Sequence, residues 1–213
     1  MLSEVGPLAG AAARRTFLRG PRAWIFAWCG LLVTANAIGV TLAVQHINNH
    51  WVVYVFVPLQ GAVILWALSL WQTRQMARLT IRTAIPPFIV AWAVLLLWED
   101  MSNFSAVAEP VYSLLALGAA LYTLLTRSSE ATEPLVQQDW FWICAGLALH
   151  FGALATLTPL SAALVKTHPE VVTRAYDLRA VVNVLAFVAI TIGILCPLPP
   201  PHSGASSSPA SSV

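Results

Sequence analysis

Residues 51–71 read WVVYVFVPLQGAVILWALSLW, 21 positions without one charged side chain. A helix needs about 20 apolar residues to cross the hydrocarbon core of a bilayer. Trp51 and Trp71 close the run at both ends, where an aromatic belt belongs. Pro58 lacks an N–H, so it is expected to bend the helix and free one carbonyl for another partner.

Similar runs lie on either side. One precedes it, from Ala23 to Val44, and four follow: Thr83 to Trp98, Val107 to Thr126, Trp140 to Leu160 and Ala180 to Cys196. The third is short unless Pro86-Pro87 is taken into its first turn, which proline tolerates, and Pro110 similarly opens the fourth. The fold class is therefore all-α: an integral membrane bundle of six transmembrane helices over residues 23–196. A basic N-terminal segment, residues 1–22, precedes it and offers a surface helix. A Pro/Ser-rich tail, residues 197–213, follows and is expected to be disordered.

Composition agrees. Of 213 residues, 58% are hydrophobic and 9% charged, with mean hydropathy +0.75, whereas soluble domains carry roughly 25% charged residues. A net charge of +2 provides no basic patch, which excludes a nucleic-acid partner. Cys29, Cys144 and Cys196 lack CxxC spacing and read as apolar packing residues. Ala35-Asn36-Ala37 mimics a signal-peptidase site, but the apolar sequence continues to Val44, so the first span reads as retained.

The arginines set an expected orientation. Eight basic residues, Arg14, Arg15, Arg19, Arg22, Arg74, Arg78, Arg82 and Arg127, fall on one side, against Lys166, Arg174 and Arg179 on the other. Both termini are thus expected in the cytoplasm. The stretch Lys166 to Arg179 strains that rule and is expected to lie along the membrane surface, with Glu170 and Asp177 offsetting its charge. Trp24, Trp98, Trp140 and Trp142 also sit at span ends, while Trp66 and Trp92 lie deeper.

Polar groups within a bilayer are costly, so each midspan one is a candidate for function. Four stand out: Asn36, Gln60, His150 and Asn183, as a ligand-binding cluster. The competing reading is interhelical hydrogen bonding, worth roughly 0.6–2 kcal/mol per bond. No acidic residue and no lysine lies in a midspan, which argues against a carboxylate-type proton pump and a retinal protein. A second candidate set faces outward under the expected threading: His46, His50, Glu99, Asp100 and His168, with Glu109 and Glu170 nearby. Histidine with carboxylate suits a divalent metal, and His46 and His50 share a face if the first helix runs on to residue 50. No other cofactor is indicated, since haem ligation across a bundle needs two buried histidines and only His150 lies in a span. No nucleophile, metalloprotease or phosphate-loop motif occurs, so no catalytic residue is named.

Three stretches carry a family likeness: Asn49-His50-Trp51 with Pro58 downstream, Asp139-Trp140-Phe141-Trp142-Ile143 running into Gly146-Leu147, and Asn183-Val184-Leu185. Across the second to sixth spans the chain resembles small bacterial multi-helix membrane proteins akin to the transmembrane input regions of sensor histidine kinases. The resemblance implies a multi-pass protein of the bacterial cytoplasmic (inner) membrane, a sensory class of function and a membrane or signalling protein as partner. The chain departs from a complete sensor kinase in having no dimerisation helix or ATP-binding domain. The alternatives are a small-solute or metal transporter or channel, and an accessory subunit of a larger membrane complex.

Overall fold

The computed structural model describes residues 2–13, 18–99, 101, 107–164 and 169–197. Among them the chain is helical, without strands. The helices are α1 (Leu2–Ala13), α2 (Pro21–Val44), α3 (Trp51–Trp71), α4 (Gln75–Thr83), α5 (Ile85–Leu95), α6 (Ala108–Ser128), α7 (Asp139–Leu164) and α8 (Pro169–Leu195). Six stretches are long and apolar enough to cross a membrane: Pro21–Val44, Trp51–Trp71, Gln75–Leu95, Ala108–Ser128, Asp139–Leu160 and Glu170–Leu195. This is the architecture of a multi-pass membrane protein.

Local chemistry explains the boundaries. Gly20 precedes α2 at φ +59°, a left-handed conformation natural to glycine, and Pro21 occupies the first turn. Pro86 and Pro87 likewise fall in the first turn of α5. Pro58 cannot donate to the carbonyl of Tyr54 four residues back. That oxygen accepts instead from the Trp92 indole N–H at 3.0 Å, so the proline ties α3 to α5.

Three boundaries differ from the sequence-based expectation. The third span begins at Gln75, because Arg78 and Arg82 lie along α4, with Arg74 just before it, rather than filling a loop; Arg82 stacks its guanidinium over Trp66 at 4.2 Å. The last helix begins at Pro169 rather than near Ala180. Arg174, Asp177 and Arg179 are thus helical residues of α8. The N-terminal helix α1 is docked against α8 and α2, with Glu4 buried, rather than standing alone as a surface helix. Gly6 and Gly10 permit that approach: a Cβ on Gly6 would lie 3.3 Å from Thr191 Oγ1, and one on Gly10 would lie 3.5 Å from Leu195. The expectation for the tail falls, beyond Pro197, outside the described residues.

Helix α7 is central and packs on both α6 and α8. A Cβ on Gly146 would come within 2.5 Å of the Ala186 carbonyl oxygen, so only glycine lets these two backbones approach so closely. Trp28, Phe151 and Phe187 fill the space between α2, α7 and α8, with Trp28 stacked on Phe187 at 6.1 Å. The three cysteines are buried and free, as their apolar surroundings suggested. Trp92 is buried and Trp98 is fully on the surface, but Trp140 is buried rather than belt-like, with the Arg127 guanidinium 5.7 Å from its ring.

One end of the bundle is fastened by a buried ion pair. Arg22, at the start of α2, donates from Nε to Asp139 Oδ2 at 2.7 Å and from Nη1 to the Cys196 carbonyl at 2.7 Å. It thereby joins the beginnings of α2 and α7 to the end of α8. A desolvated guanidinium with its acceptors in place satisfies the condition under which buried charge is tolerated.

Candidate functional site

The four midspan polar residues sit on four different helices: Asn36 on α2, Gln60 on α3, His150 on α7 and Asn183 on α8. All four line one cavity of about 470 Å³. Helical geometry explains the meeting. Asn36 lies eight residues before the end of α2 and Gln60 nine residues after the start of α3, so both fall at similar depth from the connecting loop.

Two hydrogen-bonded pairs organise the walls. His150 Nδ1 and Asn183 Oδ1 are 2.9 Å apart; with the amide oxygen as acceptor, Nδ1 carries the proton and Nε2 is left as an acceptor. The imidazole is held in place by the rings of Trp28 at 5.6 Å, Phe151 at 4.9 Å and Phe187 at 5.4 Å. Asn36 Nδ2 donates to Glu4 Oε2 at 2.7 Å. That bond carries a carboxylate from α1 to the depth of Asn36. No acidic residue lies within a midspan, as the sequence indicated, but one reaches that depth from outside the spans.

Gln60 is 5% exposed, and its side-chain amide makes no hydrogen bond among the described residues. The Tyr112 hydroxyl is buried with the Trp28 indole N–H beside it, outside hydrogen-bond geometry. Glu109 and Arg179 reach the same cavity from α6 and α8, and their charges interact. Sequence reasoning named neither Glu4 nor Arg179 as a site residue. A glycine pair spaced by four beside Glu4 was the available signal for the first, because small-xxx-small spacing marks helices that dock closely.

The outward metal set is only partly described. Asp100 and His168 lie outside the described residues. His46 and His50 do not share a helical face: α2 ends at Val44, His46 adopts φ +56°, and His50 caps the start of α3. Glu99 accepts the backbone N–H of Val107 at 2.7 Å, at the beginning of α6, where the helix dipole favours an anion. Among the described residues, no three His, Cys, Asp or Glu side chains come together as a metal-binding group. Of the described residues in the outward set, His50 and Glu109 line the cavity, along with Asn49, whose amide donates to the Gly39 carbonyl at 2.9 Å.

No protein-family model, curated protein or solved structure matches the chain.

Proposed function

We propose that this protein is a non-enzymatic multi-pass membrane module that binds a small molecule inside its helix bundle and conveys occupancy to a membrane or signalling partner. The observation that carries the reading is the convergence of Asn36, Gln60, His150 and Asn183, from four helices, on a single cavity of about 470 Å³. Small-molecule sites are concave, about 300–1,000 Å³, largely apolar and furnished with a few converging polar groups. Hydrogen bonds made only as structural glue need no such space around them. A sensory role fits because the cavity walls come from α1, α2, α3, α6, α7 and α8, so an occupant acts on most of the bundle at once. The arginine asymmetry favours the cytoplasmic side for the α1–α2 turn and for the end of α8, which puts the α2–α3 loop and its end of the cavity outside.

The test uses full-length protein in nanodiscs, screened for small molecules that raise its melting temperature. Ala35→Phe, which places a ring in the cavity, should abolish those shifts while leaving the unliganded protein folded. Hits that stabilise the Ala35→Phe variant as strongly as the wild type would sink the cavity reading. A second reading, a transporter for a small solute, draws on the same polar depth. It predicts solute flux in proteoliposomes above that of empty vesicles.

A further inference from the structure

The cavity also carries information about the charge of its occupant. We propose that it is a binding site for a small organic ammonium ion, with Glu4 as the counter-ion; the inference rests on the cavity reading above.

Glu4 is 9% exposed, and its carboxylate lines the cavity. Its hydrogen bond comes from Asn36, a neutral amide. Among the described residues it forms no ion pair; the three ion pairs found there are Arg22–Asp139, Arg74–Glu130 and Arg127–Glu130. Buried charges are paired in folded proteins. Arg179 is the cation on the cavity wall, and its charge is engaged with Glu109. Glu4, Glu109 and Arg179 together leave one formal negative charge facing the space.

The rest of the lining selects the kind of cation. Phe56, Tyr112, Phe151 and Tyr176 present aromatic rings to the cavity, and ring faces attract ammonium groups. The unpartnered Gln60 amide, 5% exposed, adds an acceptor oxygen suited to an ammonium N–H. A space of about 470 Å³ is far too large for a bare metal ion but fits an amine with an apolar body. Carboxylate, aromatic walls and a neutral acceptor thus describe a protonated amine rather than an anion or a hydrocarbon.

The experiment is isothermal titration calorimetry on full-length protein in uncharged phosphatidylcholine nanodiscs, with benzylammonium, benzyl alcohol and benzoate as probes of matched shape. Benzylammonium should bind, and the neutral and anionic probes should bind far more weakly. Glu4→Gln should weaken benzylammonium about 30-fold or more, the scale for truncating one member of a buried charge pair. The exchange variant Glu4→Gln/Asn36→Asp keeps both the charge and the reach for the hydrogen bond while moving the carboxylate to α2, and should recover most of the affinity. Equal binding of the three probes, or an unaltered affinity in Glu4→Gln, overturns the ammonium assignment but leaves the cavity reading standing. A folded exchange variant that does not bind also overturns it. Failure of all three probes on the wild type overturns it too, while the library comparison with Ala35→Phe judges the cavity separately.

Discussion

Replacing Arg22 by methionine removes the charge that fastens one end of the bundle while keeping much of the side-chain volume. The Arg22 side chain is 2% exposed and that of Asp139 is 19% exposed, so the pair is largely out of water. Removing one partner of a buried pair typically costs 3–5 kcal/mol, because the other charge is stranded. Two features put this case at the lower end. Asp139 keeps some solvent, and its Oδ1 accepts the Trp140 N–H at 2.8 Å at the start of α7, where the helix dipole stabilises an anion. The Cys196 carbonyl also loses its donor. We therefore expect Arg22→Met to cost about 3 kcal/mol, or about 6–12 °C in melting temperature for a chain of this length. Asp139→Asn should also destabilise, since it strands the more deeply buried charge, although an amide oxygen still accepts from Arg22 Nε. The double variant should be more stable than Arg22→Met alone, because the stranded carboxylate is gone. Unfolding by SDS titration in mixed micelles, with a thermal melt alongside, measures all three. An Arg22→Met protein within about 1 kcal/mol of wild type would refute the reasoning, as would a double variant no better than that single.

Other expectations follow from the packing and the loops. Gly146→Ala should destabilise by about 1–3 kcal/mol through contact with the Ala186 carbonyl, whereas Gly118→Ala, whose Cβ meets nothing within 4 Å, should be neutral or stabilising by up to about 1 kcal/mol; paired melts decide it. Gln72 bridges α3 and α6 by donating to Thr123 Oγ1 at 2.9 Å and accepting from Thr126 Oγ1 at 3.0 Å. Gln72→Leu should cost about 1 kcal/mol, less than a stranded charge, because both threonines keep backbone acceptors on their own helix. The Thr73 hydroxyl bonded to Glu130, helped by Arg74 and Arg127, holds that half-buried carboxyl below its ordinary value of 4.5. Its folded form therefore favours the ionised state, and its stabilisation is present above pH 4.5 and lost as pH falls through the lower folded value. A melting curve taken against pH should show Glu130→Gln lacking that part of the acid-side loss, and parallel curves for the two proteins would contradict it.

The hydrophobic runs were sufficient to count the spans, because length and apolarity are what a bilayer demands of a helix. Pro58 even announced a freed carbonyl, which Trp92 takes up. The errors have one cause: residues with charges were assigned to loops. Arg174, Asp177 and Arg179 belong to α8, where the helix extends beyond its apolar part, and Arg74, Arg78 and Arg82 lie in and beside α4. The same habit hid Glu4, since a carboxylate outside every hydrophobic run gave no sign of reaching Asn36. The midspan amides and His150 were legible one by one; their meeting in one cavity depends on helix rotation, which the lack of a one-sided apolar stripe on α7 and α8 leaves unmarked. Trp140 shows the same gap, its position at a helix start being visible and its burial not.

The clamp at Arg22 has a consequence for how the chain is made. Arg22 belongs to the first span, whereas two of its acceptors, the Ile194 and Cys196 carbonyls, come from the end of the last, and α1 docks on that same helix. During synthesis the guanidinium and α1 must wait, without these contacts, until α8 has been inserted. Assembly of the first segments is thus completed by the last one, and a chain interrupted before Thr191 would leave α1 held by α2 alone and Arg22 by Asp139 alone.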